Sequence, residues 1–209
     1  GKGELQMGVS QNNISYYAYT GTGVEAFKDK RVRQAVNHAI NSDLIIERLA
    51  KGKAVRAVSW LPVGSPAFDD GAQPYAYDPD KARFHLERAG LDSLTVNLHA
   101  ADAAFQGAVN TAVLFSEHAA RAGININVVR EPDDGYWSNV WTKQPFVMAY
   151  WQGRPTEGWR FSQVVESSAP WNDTHWKNDR FDELLITARA ELDDDIRRGM
   201  YHEMQELVS

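Results

Sequence analysis

Six of the seven tryptophans, Trp137, Trp141, Trp151, Trp159, Trp171 and Trp176, lie between positions 137 and 176, together with Arg154, Glu157, Glu166 and Asp173. An indole gives a broad, rigid contact surface at little entropy cost, and a charge beside it fixes the orientation of a guest. The same residue types suit a second chemistry, because glycoside hydrolysis uses two carboxylates next to aromatic sugar platforms. A binding wall of Trp151, Arg154, Glu157, Trp159, Trp171, Asn172 and Asp173 therefore stands against a hydrolase built on Glu157, Glu166 or Asp173. Within that wall, Arg154 can grip a carboxylate or phosphate with two prongs, or can pair with Glu157 three residues on. Trp171-Asn172-Asp173-Thr174 can close an Asx-type turn that holds Trp171 outward. Trp137 and Trp141, at helical i,i+4 spacing, are expected in the core.

Other chemistries lack their residues. No G-x-S-x-G, Walker A, G-x-G-x-x-G or H-E-x-x-H is present, and His202-Glu203 lacks the second histidine. His99 ends a strand near Asp102, but no serine comes with a nucleophile elbow, so a surface histidine is expected. Zero cysteines exclude zinc-thiolate and iron–sulfur sites and thiol catalysis. Asp193-Asp194-Asp195 reads as carboxylates answering a helix N-terminus, not as a cation site. No catalytic residue, metal or cofactor is expected. A net charge of −6 without a long basic run argues against nucleic acid. The longest apolar runs, such as Phe146 to Trp151, fall far short of the roughly 20 residues needed to cross a bilayer.

The elements that position the wall follow from periodicity. Leu5 to Thr20 reads as a strand. Asp29 caps a helix with Val32, Ala35, Val36, Ala39 and Ile40 on one stripe. Ser42 starts another, with Leu44, Ile45 and Leu49 inward and Gly52 as its stop. Val55 to Trp60 is strand-like and leads into a Pro62/Gly64/Pro66 loop. Asp78-Pro79 opens a helix that Gly90 closes. Leu94, Val96 and Leu98 alternate as a strand, Phe105 to Ala122 reads as a helix ended by Gly123, and Ile124, Ile126 and Val128 alternate again. Asp133 or Asp134 is expected to cap a short helix through Trp141, before a buried strand from Phe146 to Trp151. Arg154 to Asp173 reads as a long loop with one helical turn around Trp159 to Val165. Two helices close the chain, one from Asn178 with Phe181, Leu184, Leu185 and Ala188 inward, the other with Ile196, Met200, Met204 and Leu207. The βαβαβ order predicts an α/β fold, and it puts the Trp151–Arg154 loop at the carboxyl end of a strand, where open sheets bind ligands.

Four stretches carry a family resemblance. Phe27-Lys28-Asp29-Lys30-Arg31-Val32-Arg33-Gln34-Ala35 resembles the "F-x-D-x-R-V-R-Q-A" segment of family 5 solute-binding proteins of bacterial peptide-type ABC importers. Leu61-Pro62-Val63-Gly64-Ser65-Pro66 and Tyr77-Asp78-Pro79-Asp80-Lys81-Ala82 are similar to its "P-x-G-x-P" and "Y-D-P-x-K-A" stretches, in the same order. Asn178-Asp179-Arg180-Phe181-Asp182-Glu183-Leu184-Leu185 resembles its "F-D-x-L-L" close.

The resemblance implies a type II periplasmic-binding-protein-like lobe, with a mixed sheet flanked by helices. It implies a receptor of two lobes closing on a peptide, nickel complex, sugar or opine-like solute and passing it to a membrane permease. Family members are more than twice this length, so residues 1–209 are expected to form a single C-terminal lobe, with the N-terminal lobe, signal segment and C-terminal tail absent. A monomer outside the cytoplasmic membrane, periplasmic or lipid-anchored, is implied. In peptide-binding members an aspartate after the strand tryptophan receives the peptide amine. Arg154 stands at that place here, which favours a guest with a carboxylate or phosphate unless Glu157 takes the acid's part. A carbohydrate-active module or hydrolase is the alternative function, and a sensing lobe would share the same cleft.

Overall fold

Among the described residues four strands form one mixed sheet, and their burial differs along it. The fourth, reading FVMAYWQ, buries Phe146, Val147, Met148 and Ala149 in succession, as a strand covered on both sides must. The computed structural model describes residues 14–21, 25–57, 59–61 and 64–208. Its strands are β1 (Ile14–Thr20), β2 (Leu94–Ala100), β3 (Ile124–Arg130) and β4 (Phe146–Gln152). They lie in the order β1-β4-β2-β3, with β1 antiparallel to β4 and with β2 parallel to both β3 and β4. The carboxyl ends of β2, β3 and β4 therefore share one edge of the sheet. Ser15 opposes Trp151 and Tyr17 opposes Ala149, which puts Ser15, Tyr17 and Tyr19 on the same face as Trp151. This is the α/β fold that the residue pattern predicts, with the mixed sheet and flanking helices that the resemblance implies. The part of the first expected strand before Ile14 and the Pro62-Val63 turn lie outside the described residues.

The helices among the described residues are α1 (Glu25–Lys28), α2 (Lys30–Ala39), α3 (Ser42–Arg48), α4 (Pro79–Arg88), α5 (Ala108–Ala120), α6 (Tyr136–Asn139), α7 (Glu157–Val164), α8 (Asp179–Ala190) and α9 (Asp194–Val208). Asp29, Asp78 and Asn178 cap α2, α4 and α8 by accepting from the backbone N–H of Arg31, Lys81 and Phe181. Asp193 accepts from the N–H groups of Asp195 and Ile196, so it serves the start of α9 as expected.

Several expectations are corrected. Helix α3 starts at Ser42 as expected, with Asn41 as its cap, but it fully buries no residue, so Leu44, Ile45 and Leu49 are only half inward. Residues 55–57 and 59–60 form no strand, because no strand lies beside them to pair with; Arg56 instead bonds Tyr75 O and pairs with Asp43 at 3.3 Å. Helix α5 starts at Ala108 because Gly107 sits in the left-handed region, φ 86°, just before it. Gly135, φ 77°, likewise precedes α6, and Asp133 is engaged elsewhere, accepting from Ala103 N–H. The turn expected at Trp159 is a full helix, α7, capped by Thr156. Ile196 is 53% exposed, and Tyr201 and Met204 are the buried apolar residues of α9.

The interior falls into two clusters. One packs α2, α4 and α5 against the sheet around Leu98, Phe115 and Phe146. The other packs α7, α8 and α9 around Trp151, Phe161, Phe181 and Met204. Tyr17 and Trp141 are half-buried and touch both clusters.

Candidate functional site

Trp151 ends β4 on the face it shares with Tyr17, and both side chains run into the loop that precedes α8. There Asp173 is 1% exposed, and its Oδ2 accepts from Tyr17 Oη at 3.1 Å and from the indole N–H groups of Trp141 and Trp151, each at 3.2 Å. Burial pushes the Asp173 carboxyl up to about 6, and the three donors only partly oppose that rise. Its Oδ1 has no hydrogen-bond partner among the described residues. The loop is held by its own polar groups: Asn172 Nδ2 donates to Glu166 O and Trp176 O, and Thr174 Oγ1 donates to Asn172 Oδ1.

A row of rings runs along this anchor. Tyr150 meets Trp137 at 5.4 Å between centroids, Trp137 meets Trp141 at 5.7 Å, Trp141 meets Trp151 at 6.1 Å and Trp151 meets Trp171 at 5.7 Å. Within the row Trp137 is 38% and Trp171 41% exposed, while Trp151 between them is buried. Arg154 lies over the Trp151 ring at 5.8 Å, in cation–π range, and its Nε donates to Gln163 Oε1 on α7. A planar cation backed by indole and flanked by an exposed ring can stack a flat or apolar group and hold an anion.

Of the expected wall, the structure brings together Trp151, Arg154, Trp171 and Asp173. Asp173 does not face outward; it is buried and orients the indoles. Asn172 builds the turn. Glu157 opens α7 and makes no ion pair with Arg154 among the described residues, since Gln163 takes that guanidinium. Trp159 is 50% exposed on α7 and makes no ring contact among the described residues. Trp137, expected in the core, is exposed, because α6 has only four residues and cannot bury a full stripe. His99 is half-buried rather than on the surface, and its Nδ1 lies 2.7 Å from Glu131 Oε1 and not beside Asp102.

Sequence reasoning missed two residues. Tyr17 carried a signal, its alternation with Ser15 and Tyr19. Arg160 carried none: it is 2% exposed, donates to Ser15 Oγ at 3.1 Å and to Gln152 O at 3.4 Å, and braces β1 against the end of β4. For hydrolysis the carboxylates are badly placed. Asp173 is taken by three donors and Glu166 pairs with Arg189 at 3.7 Å. No cluster of three or more metal-ligating side chains occurs among the described residues.

Comparison with known proteins matches residues 2–173 to the family model described as bacterial extracellular solute-binding proteins, family 5 Middle. The dipeptide-binding protein of Escherichia coli is 27% identical over 202 residues, covering 92% of this chain and 38% of that protein. The peptide transport periplasmic protein SapA of Salmonella typhimurium is 26% identical over 206 residues, covering 94% of this chain and 37% of that one. The chain thus spans under two fifths of the length of these relatives. Among solved structures, the periplasmic binding protein DppA of Helicobacter pylori in complex with the peptide STSA superposes with a TM-score of 0.82 at 23% identity, covering 93% of this chain and 39% of that one. NikZ of Campylobacter jejuni in complex with Ni(L-His) gives 0.82 at 22% identity, covering 95% and 43%. The fold is therefore that of type II periplasmic binding proteins.

Proposed function

The chain belongs to the bacterial extracellular solute-binding proteins of family 5, and from that premise we propose that it is one lobe of a two-lobe receptor for an ABC importer. The lobe supplies one wall of a cleft that closes on a peptide-like or other small solute, and the receptor hands that solute to a membrane permease without transforming it. Its relatives include proteins named for dipeptide binding and periplasmic peptide transport. No helix among the described residues is long and apolar enough to cross a membrane. A monomeric receptor working outside the cytoplasmic membrane fits these relatives.

The observation that carries this reading is Arg154 stacked over Trp151 beside the exposed Trp171, at the shared carboxyl edge of the parallel strands. A cation at that edge favours a guest whose carboxylate or phosphate meets Arg154 while an apolar or ring portion lies on Trp171. Two walls are needed for a closed cleft, so the 209-residue chain alone binds weakly.

Calorimetry with a panel of peptides and carboxylate-bearing solutes tests it, run on the full-length receptor and on this chain. Arg154→Ala is expected to weaken binding by about tenfold or more, the scale of a lost charge-assisted contact, at unchanged melting temperature. Nanomolar binding by the 209-residue chain alone overturns the two-wall geometry. Turnover of chromogenic glycosides that Glu157→Gln abolishes overturns the transport role altogether.

A further inference from the structure

Helix α2 presents two chemically distinct faces. Val32, Ala35, Val36 and Ala39 are buried in the first core, whereas Lys30, Arg33, Gln34 and Asn37, spaced i, i+3, i+4 and i+7, line a cavity of about 230 Å³. Trp60, Tyr75 and Trp176 line the same cavity from three separate loops. A solvated polar helix face needs no explanation by itself. This one is joined by three aromatic rings that are not part of it, and its charge runs against that of the molecule.

The chain carries a formal charge of −6, yet among the described residues the lining holds two cations and no carboxylate. Among the described residues neither Lys30 nor Arg33 has a carboxylate in ion-pair range. The acid nearest in sequence, Asp29, is already paired with Arg31 at 2.6 Å. Arg33 is fixed in place, because its Nη1 donates to Phe27 O at 2.7 Å and to Lys28 O at 3.1 Å. Burial makes its charged form harder to maintain, and Asp29 and Tyr75 only partly compensate. Two cations with no carboxylate in ion-pair range among the described residues, in a recess with aromatic walls, focus a positive potential on a low-polarity space.

We propose that this cavity is a second binding site, separate from the Trp151 wall, which takes a small aromatic carboxylate: the anion meets Lys30 and Arg33, and the ring packs among Trp60, Tyr75 and Trp176. Size favours a single ring over a peptide, since clefts for drug-sized ligands run to about 300–1,000 Å³. Gln34 and Asn37 supply neutral donors beside the cations for the second carboxylate oxygen. Trp60 also packs edge-on against Tyr17 at 5.3 Å, and Tyr17 donates to Asp173, so one ring contact and one hydrogen bond link this lining to the anchor of the other wall.

Benzoate is the probe, with benzyl alcohol as its neutral counterpart, titrated into the ¹⁵N-labelled 209-residue chain. The indole N–H signals of Trp60 and Trp176, assigned with Trp60→Phe and Trp176→Phe, are expected to shift saturably with benzoate while those of Trp137 and Trp171 stay still. Lys30→Gln, a change at an exposed residue, is expected to raise the benzoate Kd about tenfold, and Arg33→Gln at least as much. Benzyl alcohol is expected to leave both signals in place. Absence of a saturable shift overturns the site. Equal shifts with benzyl alcohol, or an unchanged Kd in both cation variants, overturn the anion. Shifts centred on Trp137 and Trp171 assign benzoate to the other wall and also overturn the proposal, without touching the transport reading.

Discussion

Around Leu98, Phe115 and Phe146 the interior is closed by apolar contacts, many of them alanine packed on the sheet, and the buried ionisable side chains of its helices α2 and α5 are, among the described residues, two histidines, His38 and His118. Around Trp151, Phe161 and Phe181 the interior instead holds a carboxylate, a guanidinium and an amide: Asp173, Arg160 and Gln205. Burying a carboxylate is costly unless it is well bonded, and the donors that satisfy this one are Trp141, Trp151 and Tyr17. Stability given up at Asp173 fixes the orientation of two indoles and of the ring that bridges both clusters. The first region is thus built to hold the fold, and the second holds a row of rings in a fixed orientation, the wall proposed above to meet a guest.

The largest effect that tests this division belongs to the first region. Phe146 is fully buried and packs edge-on against Phe27 at 5.4 Å and Phe115 at 6.2 Å. Phe146→Ala is expected to destabilise the chain by about 3–5 kcal/mol in a denaturant titration. The tryptophan emission of the folded fraction should stay as in the parent, because none of the ring row is removed. A loss below about 1 kcal/mol, or a shifted native emission, would break the division.

Asp173 sharpens it through pH. Its carboxyl rises from an ordinary 3.8 to about 6 in the folded chain. The folded state therefore binds the proton more tightly than the unfolded state, and the associated stability is present at low pH and lost as pH rises through 6. At about 1.4 kcal/mol per pH unit, a rise of roughly two units corresponds to about 3 kcal/mol. Comparison with Asp173→Asn isolates this from other carboxylates. The stability of the parent relative to the variant should fall by about 2–3 kcal/mol between pH 4 and pH 7, and parent emission should change in the same window because Trp141 and Trp151 donate to the titrating oxygen. Parallel pH curves for the two proteins would remove the special status of the second region.

The first region was largely legible in the sequence and the second was not, for a physical reason. Stripes such as Val32, Ala35, Val36 and Ala39, caps such as Asp29 and Asp78, and the apolar run of β4 are set by neighbours a few residues away. Arg154 and Trp151 were also visible, since a loop leaving a strand is local. The bond from Tyr17 to Asp173 spans 156 residues, and no period records it. Trp137 was misplaced because a four-residue helix offers no repeat to read. Residues 55–57 and 59–60 had strand composition but no neighbouring strand among the described residues to complete a sheet, which composition alone cannot report. The family motifs named the fold without naming the carboxylate that organises the rings.

The smallest expected effect separates scaffold from wall inside the second region itself. The start of α8 at Asn178 was legible, and in the structure the Oδ1 of Asn178 caps it, accepting from Phe181 N–H at 3.0 Å, only five residues beyond Asp173. Asn178→Ala removes that acceptor and leaves the ring row and its carboxylate untouched. The expected cost is about 1 kcal/mol in a chemical-denaturation curve, equal at pH 4 and pH 7, with unchanged native tryptophan emission. Proximity in sequence would predict otherwise, since a frayed α8 could release the loop that carries Trp171 and Asp173. That loop is tied independently, by Asn172 to Glu166 O and Trp176 O. If Asn178→Ala moves the emission or acquires the pH dependence assigned to Asp173, then α8 and the ring wall form one unit, and the anchoring role belongs to the whole α7–α8 connection and not to a single buried carboxylate.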